Sequence, residues 1–331
     1  YNSTDPLFCL CNQFSFKSST VPGVNGIPPP GHLAKEVISM DRKKLLKGVI
    51  DIHVHAGPSV AARELDAADM LKEAEAAGYR GFLVKDHYFP SMMGCQMVQR
   101  HLGSGSVEVF GSMCLNNAMG LFNLNAVDVA YGMGAKMIYF PTVSSKNHID
   151  AHKGHFAGAG KMSVPETPVV YVDENGRLDP AAVRILEYMS EKDMALGTGH
   201  GSAREVDALV RKAVEVGMKK ILVNHPHFHI GATYEQMRQW AALGAYIELN
   251  VCVFSEGSKM GPLPTTILEE MLREVPHDRM VLDSDMGQKG NGSPVEALYN
   301  FMCLMMERFG ITEDELEVMA KKNPAILMGL E

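Results

Sequence analysis

The chemistry of this chain concentrates in the stretch VIDIHVHAGPS, residues 49–59. Val49, Ile50 and Ile52 lead into His53, Val54 and His55, and Gly57-Pro58 ends the run. On a β-strand, residues two apart face the same way, so His53 and His55 project together from one strand end. Two readings stand side by side. They are hydrogen-bonded core histidines, or they are half of a metal site, because neutral imidazole suits zinc, iron, nickel and manganese.

The rest of the chain decides what could hold such a pair. Short apolar runs recur at 49–55, 80–86, 107–115, 135–141, 193–199, 219–225, 244–250 and 279–285. Amphipathic helical patterns fall between them, including 66–77, 203–216, 232–243 and 294–309. Asp66 and Ser202 are placed to cap helix starts, and Gly78, Gly217 and Gly244 to end helices. Repeated strand-then-helix units with near-continuous apolar strands predict a parallel sheet covered by helices. Eight such units predict an α/β fold, a (β/α)8 TIM barrel over 49–331. An open doubly wound sheet is disfavoured because no G-x-G-x-x-G follows the first strand. Two regions lie outside the repeat. Residues 1–48, with VPGVNGIPPPG, are expected to wrap the barrel or join a subunit interface. Residues 142–180 form a long insertion after strand 4, with a tight hairpin turn expected at Asn175-Gly176.

Composition narrows the class. The 331 residues are 46% hydrophobic and 21% charged, as in an ordinary soluble globule. A net charge of -8 argues against a nucleic-acid or anionic-membrane surface. No apolar run approaches the ~18 residues of a membrane span, and the opening residues carry no signal-peptide pattern. Six irregularly spaced cysteines read as reduced thiols, which predicts a cytoplasmic protein; Cys9-x-Cys11 lacks a second pair at zinc-finger spacing. The 23 methionines read as core filling.

Barrel active sites lie at the C-terminal ends of the strands. There the chain has His53 and His55, then Lys85, Asp86 and His87, then Asn116 and Asn117. His200, His225, Glu248, Asn250, Asp283 and Asp285 follow on the later strands. One histidine at a strand end is unremarkable. Four, with an acid on strand 8, reverse the preference for a structural role.

H-x-H on strand 1, His200 on strand 5, His225 on strand 6 and an Asp on strand 8 resemble the amidohydrolase superfamily of metal-dependent hydrolases. The match in order covers residues 49–330, and KKNPAILMGL looks like the C-terminal helix of many members. No flanking β-sandwich is evident, so the chain resembles the barrel-only branches. The resemblance implies one or two divalent ions, zinc first, with manganese, iron or nickel as alternatives. It implies His53 and His55 as ligands of the more buried ion. His200 and His225 hold a second ion, or, with one ion only, a ligand and a substrate-polarising group. Asp285 is the preferred strand-8 acid, and Asp283 shares its parity. Two-metal relatives carry a carboxylated lysine on strand 4, which here ends IYFPTVSS. Lys85 is the candidate instead, as a carboxylated metal bridge, a cation paired with Asp86, a cation for a substrate carboxylate, or a side chain reaching solvent. His87, Asn116, His148 and Asn250 are expected to contact substrate. His148, His152 and His155 in the insertion are read first as a substrate cover and only second as metal ligands.

The expected activity is metal-dependent hydrolysis of an amide, cyclic amide, lactone or ester in a small molecule, with C-N bonds other than peptide bonds foremost. Asp285, His225 and Lys85 are the expected catalytic residues. A mononuclear decarboxylase, a phosphoester hydrolase and a metal-binding barrel without catalysis are the alternatives. A homo-oligomer is expected, with no nucleic-acid or membrane partner.

Overall fold

The computed structural model describes residues 41–330 except 154–155 and 157–158. Residues 1–40 of the expected N-terminal arm, with Cys9 and Cys11, and His155 of the insertion therefore lie outside the described residues. Eight strands form one parallel sheet in sequence order. They are β1 (Ile50–Val54), β2 (Gly81–Val84), β3 (Glu108–Cys114), β4 (Ala135–Tyr139), β5 (Ala195–Gly197), β6 (Ile221–Val223), β7 (Tyr246–Asn250) and β8 (Met280–Asp283). The ring closes just beyond β8. Asp285 N–H donates to His53 O and His55 N–H to Met286 O, each at 2.8 Å. All eight expected strands are present, each shorter than its apolar run, and the protein is a (β/α)8 barrel.

The helices are α1 (Arg42–Leu46), α2 (Ala67–Ala77), α3 (Met92–Leu102), α4 (Leu124–Gly132), α5 (Lys146–His152) and α6 (Pro180–Glu191). They continue with α7 (Ala203–Glu215), α8 (Tyr234–Ala242), α9 (Thr265–Glu274), α10 (Pro294–Phe309), α11 (Glu313–Glu317) and α12 (Asn323–Met328). The Asp66 carboxylate accepts from Ala68 N and Asp69 N to start α2, and Ser202 forms a capping box with Glu205 at α7. Gly78 caps α2 in the left-handed region, whereas Gly217 and Gly244 stand one residue beyond the C-caps Val216 and Leu243. In the insertion, Val172 pairs antiparallel with Leu178 around a turn that uses Gly176 at φ 80°. Among the described residues no helix is long and apolar enough to cross a membrane.

A small apolar cluster joins Ala61, Tyr88 and Val143, and two large ones divide the barrel. One lies between strands and helices. The other fills the barrel, with Ile50, Ile52, Leu83, Met137, Tyr139, Leu222, Tyr246 and Val281. Ala325, Leu327 and Met328 of α12 pack into this second cluster, and Asn323 Nδ2 donates to Met280 O at 2.6 Å. The KKNPAILMGL segment thus seals the N-terminal mouth. Along β7 and β8 the interior row runs from apolar to polar: Tyr246 to Glu248 and Asn250, Val281 to Asp283. The same alternation carries Leu83 to Lys85 and Leu222 to Asn224. Chemistry is confined to the C-terminal mouth because the other end is packed with hydrocarbon.

Candidate functional site

Strand alternation brings Lys85, Asn224, Glu248, Asn250 and Asp283 to the mouth. His53 and His55 are out of phase with Ile50 and Ile52 and reach it past a register shift on β1 between Asp51 and Val54. Alternation does not place His225 either. It shares parity with Ile221 and Val223, which face the helices. His225 adopts φ 45°, in the left-handed region, and so leaves the strand's alternation and turns inward; Asp285, which shares the inward parity of Val281 and Asp283, also has a positive φ, 49°. Such conformations cost of order 1–3 kcal/mol and persist where the surroundings enforce them.

Glu248 organises the inner cluster. Its Oε1 lies 2.8 Å from His53 Nδ1 and accepts from Asn224 Nδ2 at 2.8 Å. Its Oε2 accepts from the His225 backbone N–H at 2.8 Å and from Asn250 Nδ2 at 3.1 Å. Asn250 Nδ2 also donates to His225 Nδ1. Burial opposes ionisation of Glu248, yet His225 and His53 hold its carboxyl well below the usual range. The ionised carboxylate fixes the His53 proton on Nδ1 and leaves the Nε2 lone pair free.

That lone pair meets Asp285. His53 Nε2 lies 3.2 Å from Asp285 Oδ1, His55 Nε2 3.0 Å from the same oxygen, and His225 Nδ1 3.8 Å from Oδ2. Donor atoms of His53, His225 and Asp285 fall within 4.8 Å of one another, and all three residues are buried. An ionised Asp285 facing imidazole lone pairs at this spacing is balanced by a cation. This donor set, imidazole nitrogens with one carboxylate, fits a divalent metal. Lys85 is the cation already present: its Nζ lies 2.9 Å from His53 Nε2 and 4.5 Å above the Tyr139 ring. It is fully buried and does not pair with Asp86. Asp86 instead accepts from Arg63 Nη2 at 3.1 Å and from the Tyr88 and Phe89 backbone N–H groups.

Burial pushes His55, His87, His200 and His225 well below the ordinary imidazole value, so they stand neutral, the form that ligates metal. Burial raises the Asp285 carboxyl and raises Asp283 further, with the Glu248 charge beside Asp283 adding to it. Asp283 has no donor in reach. Asp285 meets three histidines within 3.8 Å, while a carboxylate oxygen of Asp283 lies within 4.8 Å of ligand atoms of His53 and Glu248.

The remaining expected residues separate. His87 Nδ1 lies 2.9 Å from Thr142 Oγ1, with its ring 5.0 Å from that of His55. Asn116 is consumed as a bracket: it donates to His87 O and Thr142 Oγ1 and accepts from Thr142 N and Ser144 N. Asn250 gives its Nδ2 to Glu248 and His225, while its Oδ1 is buried without a partner. His200 joins a second, outer group, with His148 on α5 and His229 beyond β6.

Three members of this environment were given no role in the sequence. Glu248 was visible as the strand partner of Asn250, but acids draw less attention than histidines. His229 lies two residues past His227 in NHPHFHI, where no periodicity marks it. Arg63 sits in the loop after β1 at the edge of the His55 and His87 environment, its Nε and Nη1 buried and without partners.

The barrel is shared with structures of amidohydrolase type. An amidohydrolase from Pseudomonas aeruginosa superposes with TM-score 0.59 at 10% identity, over 86% of this chain and 97% of its own. A probable dipeptidase from the same organism gives 0.59 at 12%, over 87% and 96%. A probable 2-pyrone-4,6-dicarboxylic acid hydrolase from Acinetobacter baumannii, with citric acid bound, gives 0.56 at 9%, over 85% and 99%. At these identities the likeness is one of fold. The chain belongs to the DUF6282 family, a family of unknown function, whose model matches residues 48–248. None of the curated proteins compared matches the sequence.

Proposed function

We propose that the protein is a metal-dependent hydrolase of small molecules, acting on an amide, cyclic amide, lactone or ester carbonyl, with C-N bonds other than peptide bonds foremost. The observation that carries this reading is the convergence of His53 Nε2, His55 Nε2 and His225 Nδ1 on the Asp285 carboxylate. His53, His55, His225 and Asp285 would hold the inner ion, zinc first among the candidates. When bound, a divalent ion acidifies water and polarises a carbonyl oxygen. Glu248 holds His53 in the ligating tautomer. Asp285, its carboxyl raised by burial, takes the proton from the attacking water and hands it to the leaving group. Lys85 acts from 2.9 Å of His53 Nε2. Carboxylated, it becomes an anionic ligand; as a cation, it steadies negative charge on the reacting carbonyl. The unused Arg63 donors, beside His55 and His87, suit a substrate carrying an anionic oxygen.

The test is metal content of protein purified without chelator or histidine tag, followed by turnover on a panel of those substrate classes. Retained metal that His53→Ala abolishes, with turnover lost to chelator and restored by zinc or manganese, is the expected result. Metal-free protein that stays inert after zinc and manganese are added overturns the reading. Carbon-13 bicarbonate labelling, read by NMR, decides the state of Lys85: a carbamate resonance absent from Lys85→Ala marks it as carboxylated.

A further inference from the structure

We infer that the insertion after β4 builds a second metal site, outside the strand-end cluster, from His148, His200 and His229. The three come from separate parts of the chain: α5, the turn after β5, and the segment beyond β6. All are buried. Their donor atoms lie within 4.8 Å of one another, and His148 Nδ1 stands 2.9 Å from His200 Nδ1. Metal–nitrogen bonds of about 2.1 Å place neighbouring imidazole nitrogens roughly 3 Å apart, so this spacing suits a shared ion. His200 Nε2 is buried without any partner. His152 adds a fourth ring, its Nε2 3.4 Å from His229 Nδ1, one helical turn from His148.

The protonation chemistry points the same way. Burial and mutual repulsion push His148 down to about 3 and His200 and His229 well below their usual value. Neutral imidazoles can pair N–H to N, as the 2.9 Å between His148 Nδ1 and His200 Nδ1 allows, but each remaining lone pair still needs a donor. A borderline divalent ion such as zinc, cobalt or nickel takes several of these lone pairs at once. The His200 and His229 rings are nearly parallel, 17° apart with centroids at 4.2 Å, so one must tilt as they close on the ion. Three neutral ligands leave the ion's full charge and an open position, which favours an anionic oxygen as fourth ligand.

This site differs from a second ion held by His200 and His225, because it needs His148 and His229. It also stands apart from the hydrolase reading, which rests on the inner cluster. The experiment is titration of chelator-treated, dialysed protein with cobalt(II), read by the visible ligand-field spectrum and by metal equivalents per chain. Wild type is compared with His148→Gln/His229→Gln and with His53→Gln/Asp285→Asn, each checked for folding by circular dichroism. Two equivalents in wild type, falling to one in either double variant with a different band lost in each, is the expected result. A single equivalent lost only in the first variant also supports the outer site and removes support from the inner one. Two equivalents retained in the first variant, or one equivalent lost only in the second, overturns the outer site and leaves the hydrolase reading standing. No binding in wild type overturns both. If the first double variant does not fold, single His148→Asn carries the same comparison.

Discussion

Glu248 Oε1 lies 2.8 Å from His53 Nδ1, both side chains fully buried, and this contact sets which nitrogen of His53 faces the site. Glu248→Gln keeps the shape but presents an amide that cannot satisfy His53 Nδ1–H, Asn224, the His225 backbone and Asn250 together. Outer carboxylates of this kind are worth about 10–100-fold in metal affinity. The expected outcome is a weakening of that order in competition titrations, with a destabilisation of about 1–3 kcal/mol from unsatisfied donors. Unchanged affinity would mean that His53 needs no carboxylate to orient it.

Lys85 is fully buried, its Nζ on the Tyr139 ring and beside His53 Nε2. Tyr139 can lie there because residue 197 is glycine, where a Cβ would overlap the Tyr139 ring. Removing one partner of a buried charge cluster leaves the others uncompensated and costs about 3–5 kcal/mol, and Lys85 faces the Glu248 and Asp285 carboxyls, both of which it draws downward. Lys85→Met is therefore expected to lower the melting temperature of metal-free protein and to lower kcat of metal-loaded protein by roughly 100-fold or more. A variant that melts lower and still turns over would assign Lys85 to stability alone.

The barrel was legible because its strands obey alternation almost to their ends, and the mouth was legible because Lys85, Glu248, Asn250 and Asp283 continue apolar interior rows. Past a register shift on β1, His53 and His55 leave the row of Ile50 and Ile52, and His225 breaks the rule too. A period-two reading faces it outward with Val223, and only a left-handed residue, invisible in the sequence, brings it in. Asn116 failed differently: it stands at a strand end like a substrate contact, yet its hydrogen bonds all go to the His87–Thr142–Ser144 bracket. The grouping of His200 with His148 and His229 depends on how the insertion folds back, a long-range contact that no local pattern encodes.

Gly287 has φ 106° and leaves no room for a side chain, since a Cβ would overlap the His55 carbonyl oxygen. The same segment joins β1 to the end of β8 through His55 N–H and Met286 O. Gly287→Ala combines a strained backbone with a clash, and each such strain costs of order 1–3 kcal/mol. The expected result is a lower melting temperature together with weaker metal binding, because His55 and Asp285 move apart. Loss of stability with inner-site metal affinity intact would show that the seam and the site are independent.

Asp51 lies beneath this seam, fully buried. Its Oδ1 accepts from His53 N–H at 3.2 Å and Ser284 N–H at 3.0 Å, while Oδ2 has no partner. Burial outweighs these bonds and raises the carboxyl from 3.8 to about 6. A raised acid binds its proton more tightly in the folded chain than in the unfolded one. Its contribution to stability is thus full below pH 3.8 and is lost as pH climbs through about 6. At about 1.4 kcal/mol per pH unit, the gap amounts to roughly 3 kcal/mol. Asp51→Asn keeps an oxygen for both backbone donors and abolishes the titration. With chelator present throughout, so that no ion alters the charge at His53, the variant should gain on wild type as pH rises from acidic to alkaline. Melting temperatures of the two proteins, compared at pH values on either side of the transition, check this. A difference that stays flat across the transition would place the Asp51 carboxyl in its ordinary range and require a donor for Oδ2 that the fold does not supply.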